Sequence, residues 1–229
     1  MQRGLSRCGI SLGRPKYTVT SPDPYYQEKK ENVDIDEKEL KKVKERLGLQ
    51  YMDLDNGVLL FEDEAKLELK PTMCANWQKQ KEQKKIPTPG KNQWLSAFGA
   101  VNYLTGKLTS IVQNRKRSEE FWDLLDAVLD DYPDKEIIMV LDNATPHHSK
   151  KTYQHLLSKK YKRLHLVFLP TYSPWLNPIE RFWKYMLRQI THNYLFKSLL
   201  ELKNTARNFF SRFTQPNQTI LSIIKHTIN

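Results

Sequence analysis

Residues 136–170, EIIMVLDNATPHHSKKTYQHLLSKKYKRLHLVFLP, contain the pattern that decides the fold class. EIIMVL and LHLVFL are short, continuously apolar runs, which are typical of strands buried on both faces. The segment between them, SKKTYQHLLSKK, predicts a helix. A strand, a helix and a second strand in this order favour an α/β protein whose sheet is covered by helices.

The preceding residues predict an antiparallel meander. A buried strand that passes into a second, alternating one is predicted at VLLFEDEAKLEL (58–69). Further strands are predicted at WLSAFGAVNYL (94–104) and at LTSIVQN (108–114). SEEFWDLLDAVLDDY (118–132) predicts a helix that begins with a Ser-x-x-Phe cap, and the chain is helical again from Asn177. The whole pattern therefore predicts a mixed α/β sheet with helices on both faces.

The N-terminal part has a different composition. Residues 1–30 contain prolines, glycines and serines without sustained periodicity, which predicts a linker or the remnant of another region. VDIDEKELKKVKERL (33–47) repeats apolar residues at helical spacing and predicts an amphipathic surface helix. We therefore divide the chain into residues 1–30 and a domain at 31–229.

The overall composition favours a globular protein with a polyanionic partner. The 229 residues are 39% apolar and carry 37 basic against 26 acidic side chains, a net charge of +11, which favours nucleic acid. Cys8 and Cys74 match neither a zinc nor a disulfide pattern, which predicts free thiols in a reducing compartment. Without an apolar run of membrane-spanning length or a signal-peptide pattern, the chain is expected to be soluble and cytoplasmic.

Three acidic residues occupy positions where they can carry chemistry. Asp63 ends the VLLF run, Asp142 follows IIMVL, and Glu180 begins a helix after VFLP. A carboxylate at the end of a buried strand loses solvation unless it is paired or bound to metal. Two of these acids also fit purely local roles, since Asp142 could begin an Asx turn and Asn177-Pro178-x-Glu180 fits a helix capping box.

The combination of the three acids predicts a metal site. Carboxylates that converge from different elements can hold two divalent ions about 4 Å apart, one activating a water or a 3′-hydroxyl and the other stabilising the leaving oxygen. Hard oxygen ligands suit Mg²⁺ or Mn²⁺. On a basic protein, such a cluster is typical of phosphodiester chemistry on DNA or RNA.

Four blocks carry a family resemblance. They resemble, in order, the catalytic domain of mariner-like transposases, and more narrowly the bacterial insertion-sequence branch of the DDE superfamily. The blocks are LLFEDEAKLELKPTMCANW (59–77), GAVNYLTGKL (99–108), VLDNATPHHSKKT (140–152) and LPTYSPWLNPIERFWKYML (169–187). The resemblance implies a ribonuclease-H-like fold, in which three antiparallel strands are followed by two parallel ones, and a catalytic metal triad of Asp63, Asp142 and Glu180.

The same resemblance implies a reaction and its partners. Water nicks DNA at the transposon end, and the released 3′-hydroxyl then attacks target DNA. A homodimer is expected on the same ground. Members of this family carry N-terminal helix-turn-helix modules, for which residues 1–30 leave no room, so we expect a catalytic half that arises by truncation or from a gene split between two frames, in which case the recognition half is encoded separately. A non-catalytic DNA-binding regulator and a stand-alone metal-dependent nuclease are the alternatives.

Several residues around the triad are candidate supporting or DNA-binding groups. Strand alternation puts Glu62 and Glu64 on the opposite face from Asp63, so that Glu64 is a solvated acid or one that supports the ligands. His147 and His148 are expected to form hydrogen bonds rather than to bind metal, and Trp77 and Trp175 to pack. The candidate DNA-binding residues, each of which also fits a plain solvated surface, are Arg14, Lys84, Lys85, Lys91, Arg181, Lys184 and Arg188.

Overall fold

The computed structural model describes residues 23–25, 57–75, 85–90 and 92–225. The predicted helix at 33–47 and nearly all of the 1–30 segment lie outside these residues, and so do Arg14, Trp77, Lys84 and Lys91. The division of the chain at residue 30 therefore stays a prediction.

Five strands form one mixed sheet in the order β3-β2-β1-β4-β5. The first three strands are antiparallel neighbours, whereas β4 pairs in parallel with both β1 and β5. This topology confirms the predicted sheet. The strands are β1 (Gly57–Glu68), β2 (Trp94–Asn102), β3 (Leu108–Gln113), β4 (Glu136–Leu141) and β5 (Leu164–Phe168).

The central strand differs from the prediction in one respect. β1 is a single strand of 12 residues rather than two successive ones. It remains extended because β2 pairs with it over Leu60–Glu68, whereas β4 pairs only with Gly57–Phe61. The second half of β1 thus continues past the end of β4, and one edge of it lies open to the loops that follow β4 and β5.

Helices cover both faces of the sheet, as predicted. Among the described residues, none of them is long and apolar enough to cross a membrane. The α-helices are α1 (Ser118–Asp131), α2 (Thr145–His148), α3 (Lys150–Leu156), α4 (Ile179–Ile190), α5 (Leu199–Phe210) and α6 (Gln218–Ile224). Short 3₁₀ turns at Lys159–Tyr161, Pro174–Leu176 and Ser211–Phe213 complete the described elements.

Two apolar clusters divide the core between the faces. On one face, α1 buries the five residues that its helical spacing predicts, namely Phe121, Leu124, Leu125, Val128 and Leu129. On the other face, aromatic residues of α4 and α5 pack on Leu59, Phe61 and Leu67 of β1. The predicted Ser-x-x-Phe cap is wrong, because Ser118 is the first helical residue and its hydroxyl lies near the Pro146 carbonyl instead.

A glycine in β2 sets how closely α4 approaches the sheet. Gly99 pairs with Asp63 of β1, and a Cβ atom at Gly99 would lie 2.7 Å from the indole ring of Trp183. Trp183 is buried on α4, one turn after Glu180. The missing side chain therefore lets this helix rest directly against the strands that carry Asp63.

We predict that Gly99→Ala destabilises the protein by about 1–3 kcal/mol, because the indole has no free space to move into and overpacking strains the core. Urea unfolding measures this change. Gly90→Ala is the matched control, since no atom lies within 4 Å of a Cβ built there. Equal stability of both variants would contradict the close packing of α4.

Candidate active site

Asp63 lies on the face of the sheet that α4 covers. Its neighbours on that face, Phe61 and Ala65, belong to the apolar cluster that includes α4, whereas Leu60 belongs to the cluster of α1. Since successive side chains of a strand alternate, Glu62 and Glu64 point toward α1. The predicted separation of Asp63 from its two acidic neighbours is therefore confirmed.

Asp142 follows the last residue of β4, and it forms the predicted turn while its carboxylate stays accessible. Its Oδ1 accepts a hydrogen bond of 2.8 Å from the Ala144 backbone N–H, which is the Asx turn. The Asn143 amide donates to the Leu169 carbonyl and ties this turn to the end of β5. The Asp142 side chain is still 48% exposed, so the turn presents the carboxylate to solvent rather than burying it.

Glu180 is placed by the loop before α4, although not by the predicted capping box. The helix begins at Ile179, and the Asn177 backbone N–H donates to the Pro174 carbonyl at 3.0 Å instead of meeting a carboxylate. The buried Asn177 amide donates to the Glu62 carbonyl at 2.7 Å. This hydrogen bond lies where β1 has passed the end of β4, and it fixes the first turn of α4 beside Asp63.

The three predicted acids meet in one cavity of about 380 Å³, which we call the acidic cavity. Its other walls come from the Asp142–Ala144 turn and from the loop between β5 and α4. Tyr172 in this loop is exposed and has a φ of 56°, a left-handed conformation that is uncommon for a non-glycine residue. Side chains from β1, from the turn after β4 and from the start of α4 thus line one cavity.

The electrostatics of the acidic cavity fit a divalent cation. Burial, followed by the negative charge of Glu180, raises the pKa of Asp63 to about 8. Burial also acts to raise the pKa of Asp142, but hydrogen bonds from His147 and the Ala144 backbone lower it overall. A cation among three carboxylates relieves their repulsion, and carboxylate oxygens are the ligands that Mg²⁺ and Mn²⁺ prefer.

A second charged group lies behind the acidic cavity, on the α1 face of the sheet. This rear cluster consists of Glu62, Glu64, His147 and Lys116. His147 Nε2 lies 3.3 Å from Glu64 Oε1, and the Lys116 ammonium lies 3.2 Å from Glu64 Oε2. The Glu64 side chain is 1% exposed, so it is not a solvated acid. Ligand atoms of Glu62, Glu64 and His147 lie within 4.8 Å of one another, close enough to hold a cation together. No such spacing is found for Asp63, Asp142 and Glu180 in the described part of the chain, where they share a cavity instead.

Glu62 is the least solvated member of the rear cluster. Its side chain is 0% exposed, and neither carboxylate oxygen has a hydrogen-bond partner among the described residues. His147 Nε2 is 3.8 Å from Glu62 Oε2. Burial raises the pKa of Glu62 well above its usual value, which favours the neutral acid and avoids an uncompensated buried charge.

The predicted basic stripe of α4 lines a second cavity of about 650 Å³, which we call the basic groove. Arg181, Lys184 and Arg188 lie along it, together with the 42% exposed Trp175, which was predicted to pack. The two cavities adjoin, because both are lined by Pro174, Asn177 and Glu180. In the described part of the chain, Lys184 forms no ion pair with Glu180.

Sequence reasoning missed the partners of the predicted acids. Lys116 and Gly99 were assigned no role beside the triad, and Asn177 was expected only to start α4, whereas His147 forms the hydrogen bonds that were expected of it. The one available signal was the alternation of β1, since it sends Glu62 and Glu64 into a covered layer where they need partners. Of the other predicted DNA-binding residues, Lys85 is exposed and lines neither cavity.

Comparisons with known proteins identify the family of this chain. Residues 58–203 match the family model described as DDE superfamily endonuclease. A curated relative, the insertion element IS630 uncharacterized 39 kDa protein of Shigella sonnei, is 30% identical over 210 residues, which cover 91% of this chain. The chain spans 57% of the length of that relative.

Solved structures of the Mos1 transposase share the fold. The Mos1 paired-end complex with the left transposon end matches with a TM-score of 0.66 at 12% identity, over 97% of this chain and 65% of that one. The Mos1 mariner paired-end complex with Mn matches with the same TM-score at 11% identity and the same coverage. The isolated Mos1 catalytic domain matches with a TM-score of 0.55 at 12% identity, over 93% of each chain. These matches confirm the predicted ribonuclease-H-like fold.

The raised pKa of Asp63 predicts how stability depends on pH. A carboxyl group whose folded pKa is raised from 3.8 to about 8 contributes its full stability at low pH and loses it as the pH rises through that range. Without divalent ions, Asp63→Asn should therefore be more stable than the parent at pH 8, by about 1–3 kcal/mol, and similar to it near pH 4. Urea unfolding at both pH values measures the difference. A constant offset at the two pH values would contradict the shifted pKa.

Proposed function

This chain belongs to the DDE superfamily endonucleases, and we propose that it is the catalytic domain of a DNA transposase, which cleaves strands at transposon ends and joins them to target DNA. The observation that carries the proposal is the meeting of Asp63, Asp142 and Glu180 in one cavity beside a basic groove. The neighbours of similar fold include Mos1 complexes with transposon ends and a strand transfer complex.

The proposed cofactor is a pair of divalent ions, Mg²⁺ or Mn²⁺, held by Asp63, Asp142 and Glu180. The three carboxylates supply the hard oxygen ligands that these ions prefer, and Mos1 complexes are known with Mn and with Mg. When bound, such ions activate the attacking hydroxyl and stabilise the leaving oxygen in an in-line phosphoryl displacement.

The residues of the chain prepare the site for this reaction. Hydrogen bonds from His147 and the Ala144 backbone lower the pKa of Asp142, which favours its ionised form. Burial and the charge of Glu180 raise the pKa of Asp63 to about 8, so a bound cation would favour loss of its proton. The phosphate backbone of DNA is proposed to follow the basic groove past Arg181, Lys184 and Arg188 into the acidic cavity. Such contacts position the backbone without reading the sequence.

We further propose the partners that this reaction requires. DNA is the substrate, a second copy of the chain completes a homodimer, and a separately encoded helix-turn-helix half recognises the transposon ends. Contacts of the basic groove with phosphates would not read the DNA sequence, which is why we assign end recognition to a separate half. Residues 31–229 form the proposed catalytic domain, 1–30 a linker, and the net charge of +11 favours a nucleoid-associated cytoplasmic location.

Glu180→Gln is predicted to abolish DNA nicking in Mg²⁺, with a loss of at least about 100-fold, because an amide cannot replace a charged ligand. The assay follows the conversion of supercoiled plasmid, with Ca²⁺ in place of Mg²⁺ as the metal control. Asp130→Asn is the matched control, because it removes an acid at an exposed position on α1. It should leave the nicking rate unchanged. Nicking that survives in Glu180→Gln would overturn the assigned triad.

The same assay with labelled transposon-end oligonucleotides separates the alternatives. A transposase cuts and then joins the labelled strand to a target, a nuclease cuts without joining, and a DNA-binding regulator does neither. Joining by the Mg²⁺-loaded protein supports the proposal. End-specific cutting by this chain alone at physiological salt would contradict the need for a separate recognition half.

The basic groove is tested by the salt dependence of DNA binding. Replacing Lys184 and Arg188 by Gln should weaken binding to all sequences alike, and the slope of log K against log salt should fall by about 0.9 for each phosphate that the protein no longer neutralises. Fluorescence anisotropy with a short duplex measures the slope. Lys159→Gln, an exposed lysine that lines neither cavity, is the control, and an equal effect there would mean that general charge rather than the groove binds DNA.

A further inference from the structure

His147 connects the rear cluster to the acidic cavity. Its side chain is 0% exposed, and its ring packs against Phe121 with centroids 4.5 Å apart. The Nδ1 atom faces Asp142, with Oδ1 at 3.0 Å and the backbone carbonyl at 3.1 Å, and Nε2 faces Glu64. A ring that is held at both nitrogens and on one face has a fixed orientation.

The partners of His147 determine which of its nitrogens carry hydrogens, and Nε2 carries one because it faces the Glu64 carboxylate. Both atoms that face Nδ1 are oxygens of Asp142 that accept hydrogen bonds, so Nδ1 carries a hydrogen and donates it. The Ala144 backbone N–H donates to the same Oδ1 at 2.8 Å. Two donors therefore occupy Oδ1, and Oδ2 is the oxygen that Asp142 can offer to a cation in the acidic cavity.

The other end of His147 is anchored from behind. Glu64 Oε1 lies 3.3 Å from Nε2, and Glu64 is itself held by the Lys116 ammonium, 3.2 Å from Oε2. Lys116 precedes α1, Glu64 is on β1, and Asp142 follows β4, so these interactions join three parts of the fold. Hydrogen-bonded partners of this kind orient metal ligands and tune their affinity for the ion.

We propose that His147 is a positioning residue, which Lys116 and Glu64 hold in place and which turns Oδ2 of Asp142 toward the catalytic cation. The proposal rests on the proposed function, because it needs a divalent ion at the triad. It also accounts for the burial of a charged cluster on the face of the sheet away from that triad. Within the cluster, the Lys116 ammonium already balances the charge of Glu64, so no second ion is needed there.

Two amide substitutions separate the two ends of the imidazole. In His147→Asn the side-chain N–H group lies near the position of Nδ1 and can still donate to Asp142. In His147→Gln it lies near the position of Nε2 and can reach only Glu64. Mn²⁺ binding to the full chain without DNA, measured from the loss of the free-ion signal in electron paramagnetic resonance, reads the effect on the site independently of activity.

We expect His147→Gln to weaken Mn²⁺ binding by about 10–100-fold and His147→Asn to stay closer to the parent protein. His148→Gln, an exposed neighbour, should bind Mn²⁺ as the parent does. Nicking at saturating Mn²⁺ should recover largely in His147→Gln, because the defect lies in holding the ion. Melting temperatures of the two His147 variants identify any common loss of stability.

Three results would overturn the proposal. If His147→Gln and His147→Asn bind Mn²⁺ as tightly as the parent, His147 has only a structural role, and the triad assignment still stands. If the parent binds no Mn²⁺, the proposed metal triad fails as well. If binding survives in Asp63→Asn with Glu180→Gln but disappears in Glu62→Gln, the ion occupies the rear cluster and His147 is its ligand.

Discussion

Three consecutive acids in the middle of the central strand constrain the rest of the structure. A buried carboxylate is costly unless it is paired, neutral or bound to a cation, and Glu62, Asp63 and Glu64 meet this requirement in three different ways. Glu62 has a raised pKa that favours the neutral acid. Glu64 is paired with Lys116 and His147, and Asp63 shares the acidic cavity with two more carboxylates, where we propose that a cation offsets the negative charge. The alternation of side chains along β1 thus places Asp63 in the acidic cavity and Glu62 and Glu64 in the rear cluster.

The acidic cavity depends as much on backbone placement as on its charges. The space above Gly99 lets Trp183 bring α4 down onto the sheet, and the Asn177 amide fastens the start of this helix to β1. Both interactions lie within a few residues of Glu180. Because β1 extends past the end of β4, the Glu62 carbonyl is free to accept the Asn177 hydrogen bond. A small shift of α4 would separate Glu180 from Asp63 without changing any charged residue.

Much of the fold could be predicted because its signals are local and periodic, whereas the candidate triad was inferred from the order of the motifs and the family resemblance. The apolar runs of β4 and β5 and the helical spacing of α1 and α4 give the right elements within a few residues. The predictions failed where a residue that was expected to bond only its sequence neighbours bonds a group far away in the sequence. Asn177 looked like part of a capping box, and its side-chain oxygen does accept from the Ile179 N–H, but its NH₂ group donates to the Glu62 carbonyl, 115 positions away in the sequence. The Asx turn at Asp142 was predicted correctly. It is compatible with a role in the site, because the carboxylate stays exposed to the acidic cavity.

By itself, the sequence determined the order of the elements and the face to which each acid of β1 points, because strand alternation follows from backbone geometry, whereas Glu180 was joined to Asp63 and Asp142 only through the family resemblance. Only the tertiary structure decided what surrounds those acids. His147 meets Glu64 across 83 positions, and Lys116 and Trp183 reach the site from elements that no local pattern links to it. Such interactions depend on how the layers pack, since burial leaves each carboxylate only the partners that packing brings within reach.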